Sequence, residues 1–217
     1  LSQQPGGLDD SNFLTNPDTS FRYRNWFQVD WNIAAFTLDY SFNERTTLNS
    51  RTFGLWASKD ALGILDTQYV PDSVIMSVKP NRNLILSSFR NLGNETRLVH
   101  RYLLGESQSA LLLGVRLYRG FTQKEQGNAD GSAKPNFSFQ DKFDDFGSFF
   151  EFPSLNTSFF AENFIRVNDC FSITPGFRYD HIRTESDGYF HAFVNDSLQF
   201  TPNSKLLSRG VFLAGLG

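Results

Sequence analysis

Apolar and polar residues alternate with a period of two along much of this chain. In "SFFAENFIRVNDCFSITPGFRYDHIRT" (158–184), Phe171, Ile173, Phe177 and Tyr179 fall on one side and Ser172, Thr174, Arg178 and Asp180 on the other. A period of two predicts a β-strand with one face turned to an apolar environment. The same alternation recurs at 24–42, where Phe27, Val29, Trp31 and Ile33 share a face, parity slips at Ala34-Ala35, and Phe36, Leu38, Tyr40 and Phe42 continue the apolar side. A β-bulge at the alanine pair is the expected cause of the slip. Few windows carry apolar residues at i, i+3, i+4 and i+7, so helices are expected to be nearly absent.

Seven strands are expected, near 24–42, 47–57, 95–104, 109–120, 157–167, 171–183 and from 207 onward. Between them short connections (43–46, 105–107, 168–170) alternate with long ones (58–93, 121–156, 184–206). Soluble sandwiches join their strands by connections of mixed, modest length. Strict alternation of short turns with long loops, on strands of about ten residues, is the pattern of an antiparallel transmembrane β-barrel. In hydrocarbon every backbone N–H and C=O must be paired, and only a closed sheet does that with strands. A soluble β-sandwich carbohydrate-binding module is the alternative, and it gives no reason for the alternation.

Composition agrees with the barrel. The 217 residues include 24 Phe, 7 Tyr and 3 Trp, with no apolar run long enough for a membrane helix; "ALLLGV" (110–115) is the longest. A formal charge of −3 argues against nucleic-acid binding. One cysteine, Cys170, permits neither an internal disulfide nor a cysteine zinc site. His100, His181 and His191 have no ligand spacing, and "DKFDD" (141–145) lacks the glycine and spacing of a calcium loop. No catalytic constellation is visible, so neither an enzyme nor a resident cofactor is expected. The chain opens at Leu1 and closes in "VFLAGLG", and residues 1–217 are expected to be the interior of a single barrel domain.

Several stretches carry a family resemblance: "QQPGGLDD" (3–10), "RNWFQVDWN" (24–32), "HRYLLGESQSALLLGVRLYRGFT" (100–122) and "FFAENFIRVNDCFSITPGFRYDHI" (159–182). Together they resemble TonB-dependent outer-membrane receptors, most of all the ferric dicitrate (ferric citrate) transport receptors. The resemblance implies a 22-stranded barrel in the outer membrane of a Gram-negative bacterium. It further implies an N-terminal plug outside this chain, energy from the TonB complex, and import of a ferric chelate, with iron as cargo. Outer-membrane lipid and lipopolysaccharide are the surroundings so implied. A passive porin, an adhesive barrel, or a receptor for another siderophore or cobalamin are the alternatives.

Ferric citrate is anionic, and arginine suits carboxylates because its planar fork pairs with them through two parallel bonds. The resemblance puts binding arginines on the extracellular side, which makes Arg22, Arg24, Arg82 and Arg90 the ligand-contact candidates. Arg116, Arg178 and Asp180 are expected to face the lumen in structural pairs. Phe149, Phe150, Phe152, Phe159 and Phe160 are expected to form an outer aromatic girdle, with packing under a loop as the alternative. "QGNADGSAKPN" (126–136) is rich in turn residues and reads equally as a gate over ligand or a mobile surface loop.

Overall fold

The structure is a computed structural model and describes residues 2–3, 10–18, 22–64, 81–140, 147–168, 170–195 and 197–217. Nearly all of them lie in one antiparallel sheet. Its long strands are β2 (Trp26–Ser41), β3 (Thr46–Gly63), β4 (Arg82–Leu104), β5 (Ser107–Ala129), β6 (Ser148–Arg166), β8 (Pro175–Val194) and β9 (Ser197–Leu216). Two-residue strands β1 (Ser2–Gln3) and β7 (Ser172–Ile173) pair with β2 and β6, and α1 (Asp10–Thr15) is a short helix. The long strands follow one another in sequence order across the sheet.

Seven long strands are as expected, and all but β2 are longer than the alternation suggested. β8 and β9 have 20 residues each, and β4 and β5 have 23. At about 3.3 Å per residue and a tilt near 40°, 20 residues climb about 50 Å, twice the roughly 25 Å of an apolar membrane band. A large part of each strand therefore lies beyond any such band, where one face need not be apolar and the period-two signal fades. This is why 58–93, 121–156 and 184–206 looked like loops. The first two shrink to connections after Gly63 and Ala129, and the third is a hairpin whose turn begins at Asn195. Asn195 has φ of 51°, the left-handed conformation that asparagine tolerates, and Gly105 supplies φ of 61° in the turn between β4 and β5.

The expected bulge is absent. Ile33, Ala34, Ala35 and Phe36 pair in unbroken register with Leu55, Gly54, Phe53 and Thr52. Val29, Trp31 and Ile33 therefore lie on the opposite face from Phe36, Leu38 and Tyr40. The parity change records a change of surroundings along a regular strand.

Directly paired residues share a face, so the registers sort the whole sheet into two sides. Toward the short turns, one side carries rows such as Leu38–Ser50–Thr96–Val115–Phe159–Tyr179–Phe212. Its apolar members are bare: Leu38 is 45%, Val115 46% and Phe212 64% exposed. The other side, at the same height, carries Thr37–Arg51–Glu95–Arg116–Ser158–Asp180–Val211. The phenylalanine group is divided by this alternation, with Phe149 and Phe159 on the apolar-banded side and Phe150, Phe152 and Phe160 on the charged side.

On the charged side the Phe160 ring covers Gly114 so closely that a Cβ there would collide with the ring carbons. Arg178 lies over the other part of that ring, 5.7 Å from its centroid. Replacing Gly114 by Val is expected to displace Phe160 and destabilise the refolded barrel by about 1–3 kcal/mol, measured as a lower urea midpoint with unchanged slope.

Candidate functional site

The charged side has two zones. Near the turns it carries both signs, with Arg51, Arg97, Arg101, Arg116, Arg166 and Arg178 beside Asp39, Glu95, Glu162 and Asp180. Arg178 makes a forked pair with Asp180 (Nε to Oδ2 2.8 Å, Nη2 to Oδ1 2.9 Å) and also reaches Ser158 Oγ at 3.1 Å. Ser158 in turn donates to Asp180. Glu95 sits between Arg97 (2.5 Å) and Arg116 (3.8 Å), and Arg51 is its cross-strand partner. Arg178 and Asp180 thus hold each other and Arg116 pairs with Glu95, which are structural pairs of the expected kind. The side chains leave an open groove of about 440 Å³ lined by Asn49, Arg51, Phe53, Glu95, Arg97 and Arg116.

Farther from the turns the carboxylates end. On the charged side the described strands there present Lys59, Lys124 and Lys205, and no carboxylate. Lys59 and Lys124 lie in one row with Val29, Ser87 and Phe150. The acids of the same height, Asp30, Asp60, Glu125, Glu151, Glu185 and Asp187, all point to the other side. Aromatic rings accompany the cations: Trp31, Phe89 and Phe152 belong to one row, with Trp31 and Phe89 6.3 Å apart. Phe150 stacks on Phe152 at 5.9 Å, and Lys59 lies 5.5 Å over the Phe27 ring.

A family model for the TonB dependent receptor-like β-barrel matches residues 2–207. The chain belongs to that family. It is a family of receptors, not of enzymes. Among curated proteins none matches the sequence. Among solved structures, the unliganded ferric citrate transporter FecA superposes with a TM-score of 0.73 at 15% identity, covering 98% of this chain and 28% of that one. The ferric-catecholate import receptor Fiu of Escherichia coli K12 gives 0.61 at 15% identity over 88% of this chain and 33% of Fiu. The siderophore receptor PiuA of Acinetobacter baumannii gives 0.61 at 11% identity over 89% and 30%. The chain spans a third or less of each of these proteins, and the likeness is one of fold. In this receptor barrel the banded side is the one that meets lipid, and the charged side is the lumen wall.

Of the four candidate arginines, the structure brings two together and buries both. Arg24 and Arg82 are fully buried beside the apolar cluster Leu62, Leu84 and Ala129, at the end of the sheet remote from the short turns. Arg82 spends every guanidinium nitrogen there: Nε on Asp130 O (2.9 Å), Nη1 on Arg24 O (3.0 Å), and Nη2 on Asp130 Oδ1 (2.7 Å). Arg24 Nη1 donates to Gly131 O at 3.2 Å, and Trp26 Nε1 to Ala133 O at 2.8 Å. These bonds pin the segment after β5 onto the strand ends, with Phe137 and Phe139 packed on the cluster. The 126–136 stretch is thus an anchored cover. Arg22 is half-buried in the turn before β2. Arg90 is exposed on the lipid side, paired with Trp56 and Phe121. The lumenal lysines were missed because a lone lysine in a polar stretch carries no signal until register gives it a face.

The acidic run 141–145 lies outside the described residues apart from its neighbours. His100 and His181 bond to Thr46 and Ser208, and His191 is buried against Phe200 at 4.4 Å. Cys170 is exposed, and the described residues contain no acid, histidine and cysteine cluster suited to a metal.

Asp130 is held well below the ordinary carboxylate range, first by Ser132, then by Arg82 and Asn136. A lowered native pKa means that its stabilisation is present above the unfolded value near 4 and is lost only as pH falls through the depressed one. Asp60 moves the other way, raised by burial against a smaller opposing bond from the Ser87 amide. Closure of the cover is expected to be unchanged between pH 8 and about pH 4. Asp130→Ala, which strands the buried Arg82, is expected to cost about 3 kcal/mol locally. Hydrogen exchange at the outer ends of β4 and β5 measures both.

Proposed function

We propose that this chain is part of an outer-membrane receptor of a Gram-negative bacterium that imports an anionic ferric chelate, with ferric citrate as the substrate its resemblance favours. The observation that carries this reading is the sorting of charge in the outer half of the wall, where the lumen side has Lys59, Lys124 and Lys205 without a carboxylate. A cation-lined concave wall raises the local concentration of an anion and supplies donors to its oxygens. Iron travels as cargo, and TonB supplies energy through a plug that the family implies and that lies outside this chain.

Chelate contact falls to these lumenal cations and not to the first candidates. Arg24 and Arg82 serve the cover, Arg90 faces lipid, and Arg22 keeps a place near the mouth. The zone near the turns, with Arg178 and Asp180 paired, is suited to a hydrogen-bonding contact with protein in the lumen.

A second substrate has its own observation. The row Trp31, Phe89 and Phe152 beside Lys59 and Lys124 suits a chelate with flat anionic rings, since stacking and cation–π contacts both act on such rings. Ferric citrate has no ring to stack.

Uptake of labelled iron by cells with and without the full-length receptor decides between them. With ferric citrate offered, gene-dependent uptake whose half-saturating concentration rises about tenfold in Lys59→Gln/Lys124→Gln is expected. Trp31→Ala should leave citrate uptake nearly unchanged. Uptake of a ferric catecholate that Trp31→Ala impairs would transfer the assignment to the aromatic chelate. No uptake of either, with the receptor correctly inserted, overturns both substrates; uptake of another siderophore or of cobalamin then keeps the receptor reading, and uptake of nothing at all favours a passive or adhesive barrel.

A further inference from the structure

Four polar side chains stand together on the lipid side at mid-height. From Leu111 to Phe121 the outward residues of β5 climb about 25 Å along the tilted strand, the height of an apolar band. Val115 and Leu117 mark its middle. Their direct partners on β4 are Thr96 and Asn94, which pair in turn with Ser50 and Thr52 on β3. Around these four the same side is apolar, with Phe36 and Leu38 beside them on β2 and Leu48 and Leu98 nearer the turns.

The four side chains form one hydrogen-bonded cluster. Asn94 Nδ2 donates to Thr52 Oγ1 at 2.8 Å and to Ser50 Oγ at 3.2 Å. Thr96 donates to Asn94 Oδ1 at 3.0 Å, so in the 2.8 Å contact between Ser50 and Thr96 the donor is Ser50. Both amide hydrogens of Asn94 and the hydroxyl hydrogens of Thr96 and Ser50 are thus spent within the cluster. The Thr52 hydroxyl accepts from Asn94, and no group of the cluster takes its hydrogen. Acyl chains offer no acceptor, and a polar hydrogen left in hydrocarbon is costly. Open acceptor positions stand beside it, because Asn94 Oδ1, Ser50 Oγ and Thr96 Oγ1 each receive one bond and can hold another. A surface with one hydrogen to give and acceptors to fill matches itself.

The membrane decides how two such surfaces meet. Copies inserted in one bilayer share an orientation, so a two-fold axis between them must lie along the membrane normal. Each residue then faces residues of its own height in the other copy, and mid-height polar groups meet mid-height polar groups. In a bilayer, apolar contact with protein gains little over contact with lipid, and hydroxyl and carboxamide groups do the holding. We propose that this patch is a contact between two copies of the receptor within the bilayer, the Thr52 hydroxyl of each donating to the open acceptors of the other. From β2 to β5 the patch is about 14 Å wide, which over the band gives on the order of 350 Å² per copy, under half of a standard interface. The pair is therefore reversible and governed by receptor density. The contact rests on the barrel reading, which puts this side against lipid, and is independent of the chelate carried inside.

The test uses full-length receptor, part labelled with a donor fluorophore and part with an acceptor, reconstituted into phospholipid vesicles over a range of protein-to-lipid ratios. Energy transfer should exceed that of random encounters and saturate with density. Thr52→Val, which removes only the spare hydrogen, should raise the half-saturating density about tenfold, while Thr52→Ser restores the hydroxyl and should associate as the parent does. The fourfold variant Ser50→Ala/Thr52→Val/Asn94→Leu/Thr96→Val should show random transfer alone. Should it fail to fold, the Val and Ser variants at position 52 carry the test. Ser208→Ala, which removes a hydroxyl bonded to His181 elsewhere on this side, should change nothing. Iron uptake by every variant should match the parent, so that loss of association with uptake retained separates this contact from the transport reading. Random transfer in the parent receptor overturns the second copy as occupant, and a photo-crosslinker at position 52 that then captures a different membrane protein in cells would reassign the patch to it. Association that Thr52→Val and the fourfold variant leave intact, or that Ser208→Ala weakens as much, overturns the patch as the contact.

Discussion

Everything in this structure depends on uninterrupted backbone pairing. A strand that crosses hydrocarbon cannot leave an N–H or C=O unpaired, so neighbouring strands must hold one register over their full height. Once the register is continuous, each side chain is committed to one of two faces, and a slip of one residue would exchange the faces. The wall can then be lipid-compatible outside and charged inside with no interior of its own. Its only buried apolar cluster among the described residues, around Leu62 and Leu84, sits at the end remote from the turns, where protein covers protein.

The same constraint explains the two vertical changes. Below, where the outer face meets acyl chains, apolar residues such as Leu113 and Phe177 point out and Arg116 and Arg178 point in. Above, the outer face is wet and turns acidic, while rings and lysines move to the lumen. The passage from Ile33 to Phe36 on β2 is where one strand makes this exchange. Both changes occur on a regular sheet and need no irregularity of the backbone.

The strand number, the antiparallel order and the short turns were legible in the sequence, because hydrocarbon enforces a period of two in the lower half of each strand. The upper halves were not. "TESDGYF" (184–190) and "QFTPNSK" (199–205) face water on at least one side, and their residues are chosen for neither face being apolar. The candidate site suffered for the same reason. Arg24 and Arg82 were visible as cations near the outer ends, but burial beneath residues 130–140 depends on contacts about 50 to 110 positions away in the chain. Lys59 and Lys124 are 65 residues apart, and only two intervening pairings put them in one row.

The sheet is one strand-layer thick, so the lumenal lysines and the outward acids of the upper wall are separated by little more than their own side chains. At physiological ionic strength the Debye length is about 8 Å. To an anion outside the mouth the two layers nearly cancel, and the chain as a whole carries −3. Only inside, nearer to one layer than to the other, does the positive sheet dominate. Such a wall resembles a charged double layer more than a charged funnel: it exerts little pull at range, and its preference for anions acts on molecules that have already entered.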